Sequence, residues 1–437
     1  MPLSSKTRPP AEVDQLDLVF RPRQEATTRK AGLLREIVDF TEFGKATSRL
    51  ETTCAGADGR ERAVATFVNE FWTSKQRQAN SLHEISYRAC FKPQLPRFFI
   101  ERLTLPGERV YDPFMGRGTT LLEAALLGRV PVGCDVNPLS AMLVRPRLRP
   151  PTLKEVETRL KEIELPSGDS HPEDLLVFYH PKTLAALCAL KDYFGRRETE
   201  GSIDNIDEWV RMVAINRLTG HSPGFFSVYT LPPNQAVSVQ SQRRINEKRS
   251  QTPPERDVKK IILRKSRILL RDSTDSCRAA LASVSGSAQL LTGKSAHTPQ
   301  IADNSVALAV TSPPFLNVVD YATDNWLRCW FAGIDAKTVK LTVPRSIENW
   351  QEAMTAVFLE LHRVLRPGGH VAFEVGEVHA GKTKLEEAVL PCGLAAGLDP
   401  LMIVINDQEF TKTANCWGVD NMAKGTNTNR IVIFVKP

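Results

Sequence analysis

Nowhere in this 437-residue chain do about 18 apolar residues run together, so no segment reads as a membrane span. The opening Met-Pro-Leu-Ser-Ser-Lys has no apolar stretch behind its charges, which argues against a secretory leader. Cysteine is sparse and scattered, at positions 54, 90, 134, 188, 277, 329, 392 and 416, with no Cys-x-x-Cys pair. That spacing offers neither a zinc site nor a disulfide framework. Internal repeats and low-complexity tracts are missing as well, which excludes a solenoid or a fibrous chain. Together these absences lead us to expect an intracellular, cytoplasmic protein with no metal and no membrane partner.

What is present suits a globular fold. With 42% hydrophobic and 24% charged residues, the chain can build a real core. Its length allows two domains, or one large domain with an insertion. The net charge of +7 and pI near 9.0 are compatible with a polyanionic partner. Their distribution says more, because eleven Lys or Arg against three acids lie between Arg243 and Arg271. Clustered cations of this kind neutralise phosphates; the alternative is a solvated helix face.

Residues 1–60 carry no strong period and read as a partly disordered extension, and residues 63–104 as mixed helix and loop. Then a strand (Glu108–Asp112), a glycine turn (Pro113–Gly118), a helix (Thr119–Leu127, closed by Gly128) and a strand (Val130–Asp135) follow in close order. Such a βαβ unit implies a parallel sheet with a right-handed crossover. Pro146, Pro150 and Pro151 punctuate the chain. Residues 151–285 read as a largely helical insertion that contains the basic segment. Strand patterning resumes at 288–292, 306–310, 370–376, 402–405 and 431–435, with a helix over 347–365. The expected fold class is α/β, a doubly wound and mainly parallel Rossmann-like sheet. Its core would be residues 61–150 and 286–437, interrupted by the helical insertion. Ligands of such sheets bind past the carboxyl ends of strands, where both of the chain's sharp motifs, 112–118 and 311–315, are placed.

The first motif is Asp112-Pro113-Phe114-Met115-Gly116-Arg117-Gly118-Thr119-Thr120. Its glycines let a backbone approach a ligand, but Leu121 stands where a dinucleotide fingerprint needs its third glycine. A nicotinamide enzyme is therefore disfavoured. This stretch resembles the cofactor motif of the DNA amino-methyltransferases, Asp-Pro-Phe-x-Gly-x-Gly-Thr-Thr. Gly133-Cys134-Asp135-Val136-Asn137-Pro138 is similar to that family's second motif. The segment His83–Pro96, most recognisably Lys92-Pro93, resembles the part that encloses the cofactor's methionine end. The resemblance implies S-adenosylmethionine as cofactor and a class I methyltransferase fold. Asp112, Pro113, Phe114, Gly116, Gly118, Thr119, Lys92 and Pro93 would line its site. Asp112 is suited to its ammonium and Asp135 to its ribose hydroxyls.

The second motif is Thr311-Ser312-Pro313-Pro314-Phe315. The family form is Ser-Pro-Pro or Asp/Asn-Pro-Pro followed by Tyr or Phe, and the Ser form is most similar to cytosine-N4 enzymes. An exocyclic amino nitrogen is a poor nucleophile because its lone pair is delocalised into the base. A Ser hydroxyl and a prolyl carbonyl that accept its two hydrogens would free that pair. The prolines fix the backbone and remove competing donors, and Phe315 offers a stacking face. A base inside a duplex cannot reach such a pocket, so flipping out of double-stranded DNA is implied. Transfer would be direct, with positioning as most of the catalysis and no covalent enzyme intermediate.

Two departures from the family pattern stand out. Gly293-Lys294-Ser295 lacks the acid of the usual Gly-Asp-Ser, and the insertion matches nothing recognisable. We expect the insertion to recognise the target, with Arg264, Lys265 and Arg267 on phosphates, contacts that position without specifying. Asp320-Tyr321, Asn325-Trp326 and the loops 412–417 and 425–430 are candidates for the base cleft or for ordinary packing. The expected activity is methylation of cytosine N4 in DNA, with a cognate restriction endonuclease as a possible partner. Adenine-N6 methylation, RNA amino-methylation and non-catalytic nucleic-acid binding stand as alternatives.

Overall fold

The structure, a computed structural model, describes residues 32–55, 61–73, 79–87, 90–165, 172–231, 236–314, 321–339, 346–378, 383–407 and 428–437. It begins with a short helix α1 (residues 32–38) and a hairpin of β1 (Ser48–Ala55) and β2 (Glu61–Asn69). Helix α2 (Gln94–Leu103) leads into β3 (Arg109–Asp112), α3 (Thr119–Leu126), β4 (Val130–Asp135) and α4 (Leu139–Leu148). The insertion supplies α5 (Leu153–Glu162), α6 (Pro181–Thr199), α7 (Asn205–Ile215), α8 (Val239–Arg249), α9 (Val258–Leu269) and α10 (Asp275–Ser285). Then come β5 (Gln289–Thr292), β6 (Val306–Thr311), α11 (Tyr321–Ala332), α12 (Ile347–Val364) and β7 (Leu365–Val375). A small ribbon of β8 (Glu377–Val378) and β9 (Thr383–Lys384) precedes α13 (Leu385–Ala395), β10 (Asp399–Asp407) and β11 (Thr428–Val435).

Nine of these strands form one sheet in the order β1-β2-β10-β11-β7-β6-β3-β4-β5. The run β7-β6-β3-β4-β5 is parallel throughout, β11 is antiparallel to both its neighbours, and β2 is parallel to β10. This is the doubly wound, mainly parallel α/β sheet expected. Winding starts at β3, proceeds outward through β4 and β5, and returns to β6 on the other side of β3. The carboxyl ends of β3 and β6 therefore flank a topological switch point, where ligand crevices form in such sheets.

Both faces are covered, which is why the central strands read as continuous apolar runs. Val110, Leu308, Val310, Ala372 and Ile433 pack under Phe98 and Phe99 of α2 and Leu33 and Ile37 of α1. Their neighbours Tyr111, Ala309, Val371, Phe373 and Phe434 pack under Phe358 and Leu361 of α12 and Val389 of α13.

The N-terminal reading needs correction. Ser48–Ala55 and Glu61–Asn69 are neither extension nor loop but two strands that prolong the sheet past β10. β1 is the edge strand, with Leu50 56% exposed; with no buried face it shows no apolar period. Asn406 of β10 fastens the segment after β2, its Oδ1 accepting the N–H groups of Phe71 (2.6 Å) and Trp72 (3.1 Å). Pro146 does not interrupt the chain either, but lies inside α4, close to its end.

The insertion is helical, as expected, yet it is not a separate body. Trp209 and Val213 of α7, Ile262 and Leu269 of α9 and Leu281 of α10 share one buried cluster with Leu121, Leu122 and Leu143 of α3 and α4. On α9 the buried positions 258, 261, 262, 265, 266 and 269 follow helical spacing, so an apolar stripe turns that helix inward. Among the described residues no helix is long and apolar enough to cross a membrane, and no cluster of His, Cys, Asp or Glu could hold a metal.

Candidate functional site

Asp112 ends β3, and Gly116 (φ +46°) and Gly118 (φ +75°) shape the turn after it. Left-handed φ is strained for a side chain with a Cβ. At Gly118 a Cβ would also stand 2.3 Å from Val144 Cγ2, so the turn packs against α4 only with glycine there. Ser295 donates to the carbonyl of Pro113 at 2.7 Å and holds the turn from the β5 side.

The Asp112 carboxyl is 2% exposed. Its Oδ1 accepts the Phe114 N–H (3.0 Å) and the Thr311 hydroxyl (2.6 Å). Among the described residues it has no cationic partner. Burial therefore pushes its pKa up to about 7, against the opposing pull of the Thr311 and Phe114 hydrogen bonds. A desolvated carboxylate with only neutral donors fits a ligand ammonium, which would relieve the cost of its burial. Asp135, at the end of β4, accepts from Gly116 N–H through Oδ2 and from Asn137 N–H through Oδ1, both at 2.9 Å. Burial raises its pKa too. Each oxygen keeps a lone pair, so Asp135 can brace the turn and still accept from hydroxyls.

The second motif meets the first here. Thr311, the last residue of β6, links to Asp112 across the parallel β3–β6 pairing. Ser312 then lines the same narrow cleft as Asp112, Phe114, Gly116 and Thr119. Pro313 is buried and Pro314 partly so. Trp350 of α12 donates its indole N–H to the Pro314 carbonyl at 3.0 Å. Phe315 lies outside the described residues, as do Asp320 and residues 412–417 and 425–427.

Some expected residues are placed elsewhere. Tyr87, Cys90 and Phe91 form the upstream wall of the cleft; Lys92 and Pro93 do not. Pro93 is buried at the start of α2, and Lys92, half-buried near Arg117, has its pKa lowered chiefly by burial. Gly118, Pro113 and Asp135 support the turn without lining the cleft. Asn325 and Trp326 serve packing: Asn325 accepts from Arg328 (2.7 Å) and Trp326 donates to the Val237 carbonyl (3.2 Å). Arg264 and Arg267 are exposed on α9, whereas Lys265 is 8% exposed and its Nζ donates to the Glu84 carbonyl at 2.6 Å. The three thus do not share a face, since neighbouring residues of a helix point about 100° apart.

Sequence reasoning missed Glu374, Trp350 and the role of Asn429. Glu374, on β7, is 6% exposed; it hydrogen-bonds the Ser312 side chain and accepts from Asn429 Nδ2 at 3.0 Å. Burial raises its pKa, and those two hydrogen bonds oppose the shift. The available signal was an acid inside the otherwise apolar strand His370–Val375, because buried acids are rare without a partner or a function.

Comparison with known proteins agrees with this geometry. Residues 44–141 match the N6/N4 methyltransferase family model, described as DNA methylase. The Type II methyltransferase M.BsoBI of Geobacillus stearothermophilus is 24% identical over 307 residues, 63% of this chain and 57% of that protein. M.MjaII of Methanocaldococcus jannaschii is 32% identical over 77 residues, 17% of this chain and 14% of that one. M.MvaI of Kocuria varians is 35% identical over 81 residues, 18% of each. The chain therefore spans between 14% and 57% of the length of these relatives. Residues 44–141 of the chain are thus similar to the N6/N4 methyltransferase family.

Proposed function

We propose that the chain is a site-specific DNA methyltransferase that uses S-adenosylmethionine to methylate the exocyclic amino group of a flipped base, cytosine N4 foremost. One observation carries this: Asp112 and Ser312 line one cleft, and the Thr311–Asp112 hydrogen bond ties their strands. The relatives' description as Type II methyltransferases supports DNA as substrate and a cognate restriction endonuclease as partner.

The residues divide the work. Asp112 holds the ammonium of the cofactor, and the lone pairs of Asp135 accept from its ribose hydroxyls. S-adenosylmethionine supplies a methyl group on a sulfonium leaving group. Glu374 engages the Ser312 hydroxyl and is itself held by Asn429. Ser312 Oγ is thereby oriented to accept one amino hydrogen of the base. The Pro313 carbonyl accepts the other. Pulled towards tetrahedral geometry, the nitrogen recovers its lone pair, and Phe315 provides the stacking face for the base. The remaining rate enhancement is positional.

The test is incubation of the full chain with labelled S-adenosylmethionine and either duplex DNA or RNA, followed by identification of the modified nucleoside. N4-methylcytosine in DNA is expected. N6-methyladenine would reassign the base, and label in RNA alone would overturn the proposal. Ser312→Ala should abolish transfer while cofactor binding survives; full activity in that variant removes Ser312 from the mechanism.

A further inference from the structure

A second cavity, of about 810 Å³, opens beside the cleft and shares only Arg117 with it. Its size is in the range that holds a whole small ligand. One wall is formed by residues within 79–86 and by Pro93, which precedes α2; the other is the insertion, through Arg217 and Phe225 after α7, Lys265 of α9 and Arg271 just past it.

The charges in this cavity do not cancel. Its two acids are both taken by Arg271, which pairs with Glu84 (3.0 Å) and Asp272 (3.1 Å). Arg117, Arg217 and Lys265 remain, and among the described residues none has a carboxylate within ion-pair distance. Arg117 is 5% exposed and donates to Thr119 Oγ1 and to the carbonyls of His83 and Ile85. Arg217 donates to Asn216 and stacks over Phe225, its Cζ 4.0 Å from the ring centre. Lys265 donates to the Glu84 carbonyl. Buried cations are costly unless paired, and crowding pushes the same way: burial and the nearby Arg217 lower the pKa of Lys265 to about 8.

His83 also lines the cavity and is 4% exposed. Its Nε2 engages Glu123 Oε1 at 2.7 Å, but its Nδ1 is buried with no hydrogen-bond partner. Because Nε2–H donates to the Glu123 carboxylate, Nδ1 of the neutral ring is an acceptor, and the three unpaired cations are the set that lacks an oxygen-rich anion.

The outer surface indicates how that anion arrives. Lys260, Arg264 and Arg267 are exposed on α9, and the same row ends at Arg271 on the cavity wall. From 260 to 269 the helix advances about 14 Å and Arg271 follows its last turn, so a polyanion lying along the row reaches the cavity.

We propose that this cavity seats one backbone phosphate of the DNA substrate, held by Arg217, Lys265 and Arg271, with Arg117 behind them. The inference rests on the reading of the chain as a DNA enzyme. It makes Lys265 an inward phosphate ligand rather than a surface contact. The seat adjoins the catalytic cleft through Arg117, so it would fix the strand next to the extruded base.

The test measures binding of the full chain to a 30-base-pair duplex as a function of salt. Each phosphate contact adds about 0.9 to the slope of log K against log salt. Arg217→Gln/Lys265→Met should lower that slope by about two and weaken binding roughly 30-fold at 0.15 M salt. Affinity for S-adenosylmethionine should stay unchanged, reporting an intact fold. Arg271→Gln, at an exposed position, should lower the slope by about one and cannot fail for want of folding. If wild-type protein methylates DNA but both variants keep its slope, or only Arg271→Gln lowers it, the seat is refuted while the enzyme reading stands. If wild-type protein neither binds nor methylates DNA, the enzyme reading falls and the seat with it.

Discussion

Asp112→Asn tests the electrostatic heart of the site. The carboxyl accepts from neutral donors alone, and burial raises its pKa from 3.8 to about 7. A group raised on folding contributes stability below its unfolded pKa and loses it as pH rises through the folded value. The loss here begins near pH 4 and is complete above pH 7. At about 1.4 kcal/mol per pKa unit, the shift from 3.8 to about 7 amounts to about 4 kcal/mol against the folded state at pH 8. Asn keeps the shape and the accepting oxygen but never ionises. In urea titrations the variant should match the wild type within about 1 kcal/mol at pH 4 and exceed it by about 2–4 kcal/mol at pH 8. Function should move the other way, because a charge-assisted hydrogen bond worth about 1.5–3 kcal/mol is lost. Calorimetry should show S-adenosylmethionine binding weakened about 10- to 100-fold at pH 8. Wild-type affinity should fall below pH 7 as the carboxyl takes up a proton, and that of the variant should not. A stability difference that does not change between pH 4 and pH 8 refutes the reasoning, and undiminished affinity places the ammonium elsewhere.

Further predictions follow from single contacts. Gly118→Ala adds left-handed strain of about 1–2 kcal/mol and overpacking against Val144 of about 1–3 kcal/mol; urea unfolding should register a combined loss of about 2–5 kcal/mol, part of it relieved by Val144→Ala. Glu374→Gln should lower kcat roughly 10- to 100-fold through misplacement of Ser312 and leave cofactor affinity intact. Because the Glu374 carboxylate protonates on the acid side, the wild-type kcat should fall there, and the Gln variant should lack that limb; an unchanged kcat and pH profile leave Glu374 a purely structural role. Arg264→Gln/Arg267→Gln should lower the salt slope of DNA binding by about two, and a slope equal to wild type returns that row to an ordinary solvated face.

How much of this was legible in the sequence depended on where the physical constraint acts. The βαβ unit around Asp112–Asp135 could be read because its strands are buried on both faces and its turn demands glycine; both leave marks within a dozen residues. The pairing of Asp112 with the 311–315 motif could be expected from the sheet class, although not the Thr311–Asp112 bond itself. Strand β1 left no mark, because an edge strand with exposed Arg49, Leu50 and Glu51 has no face to pattern. Glu374, Trp350 and Asn429 converge on Ser312 and Pro314 from β7, α12 and β11, a juxtaposition set by strand order. Lys265 was legible as a charge but not as an inward one; that required seeing which stripe of α9 the core claims.

The shared core of the insertion also bears on how this chain could be re-engineered. Residues 151–285 are not a cassette. Leu121, Leu122 and Leu143 bury against Trp209, Ile262 and Leu281, so excising or transplanting the insertion would strip the helices that carry the cofactor turn. A helical segment grafted in its place would meet mismatched apolar surfaces first. Changes to this region that spare the core must be made on its solvent side, one side chain at a time.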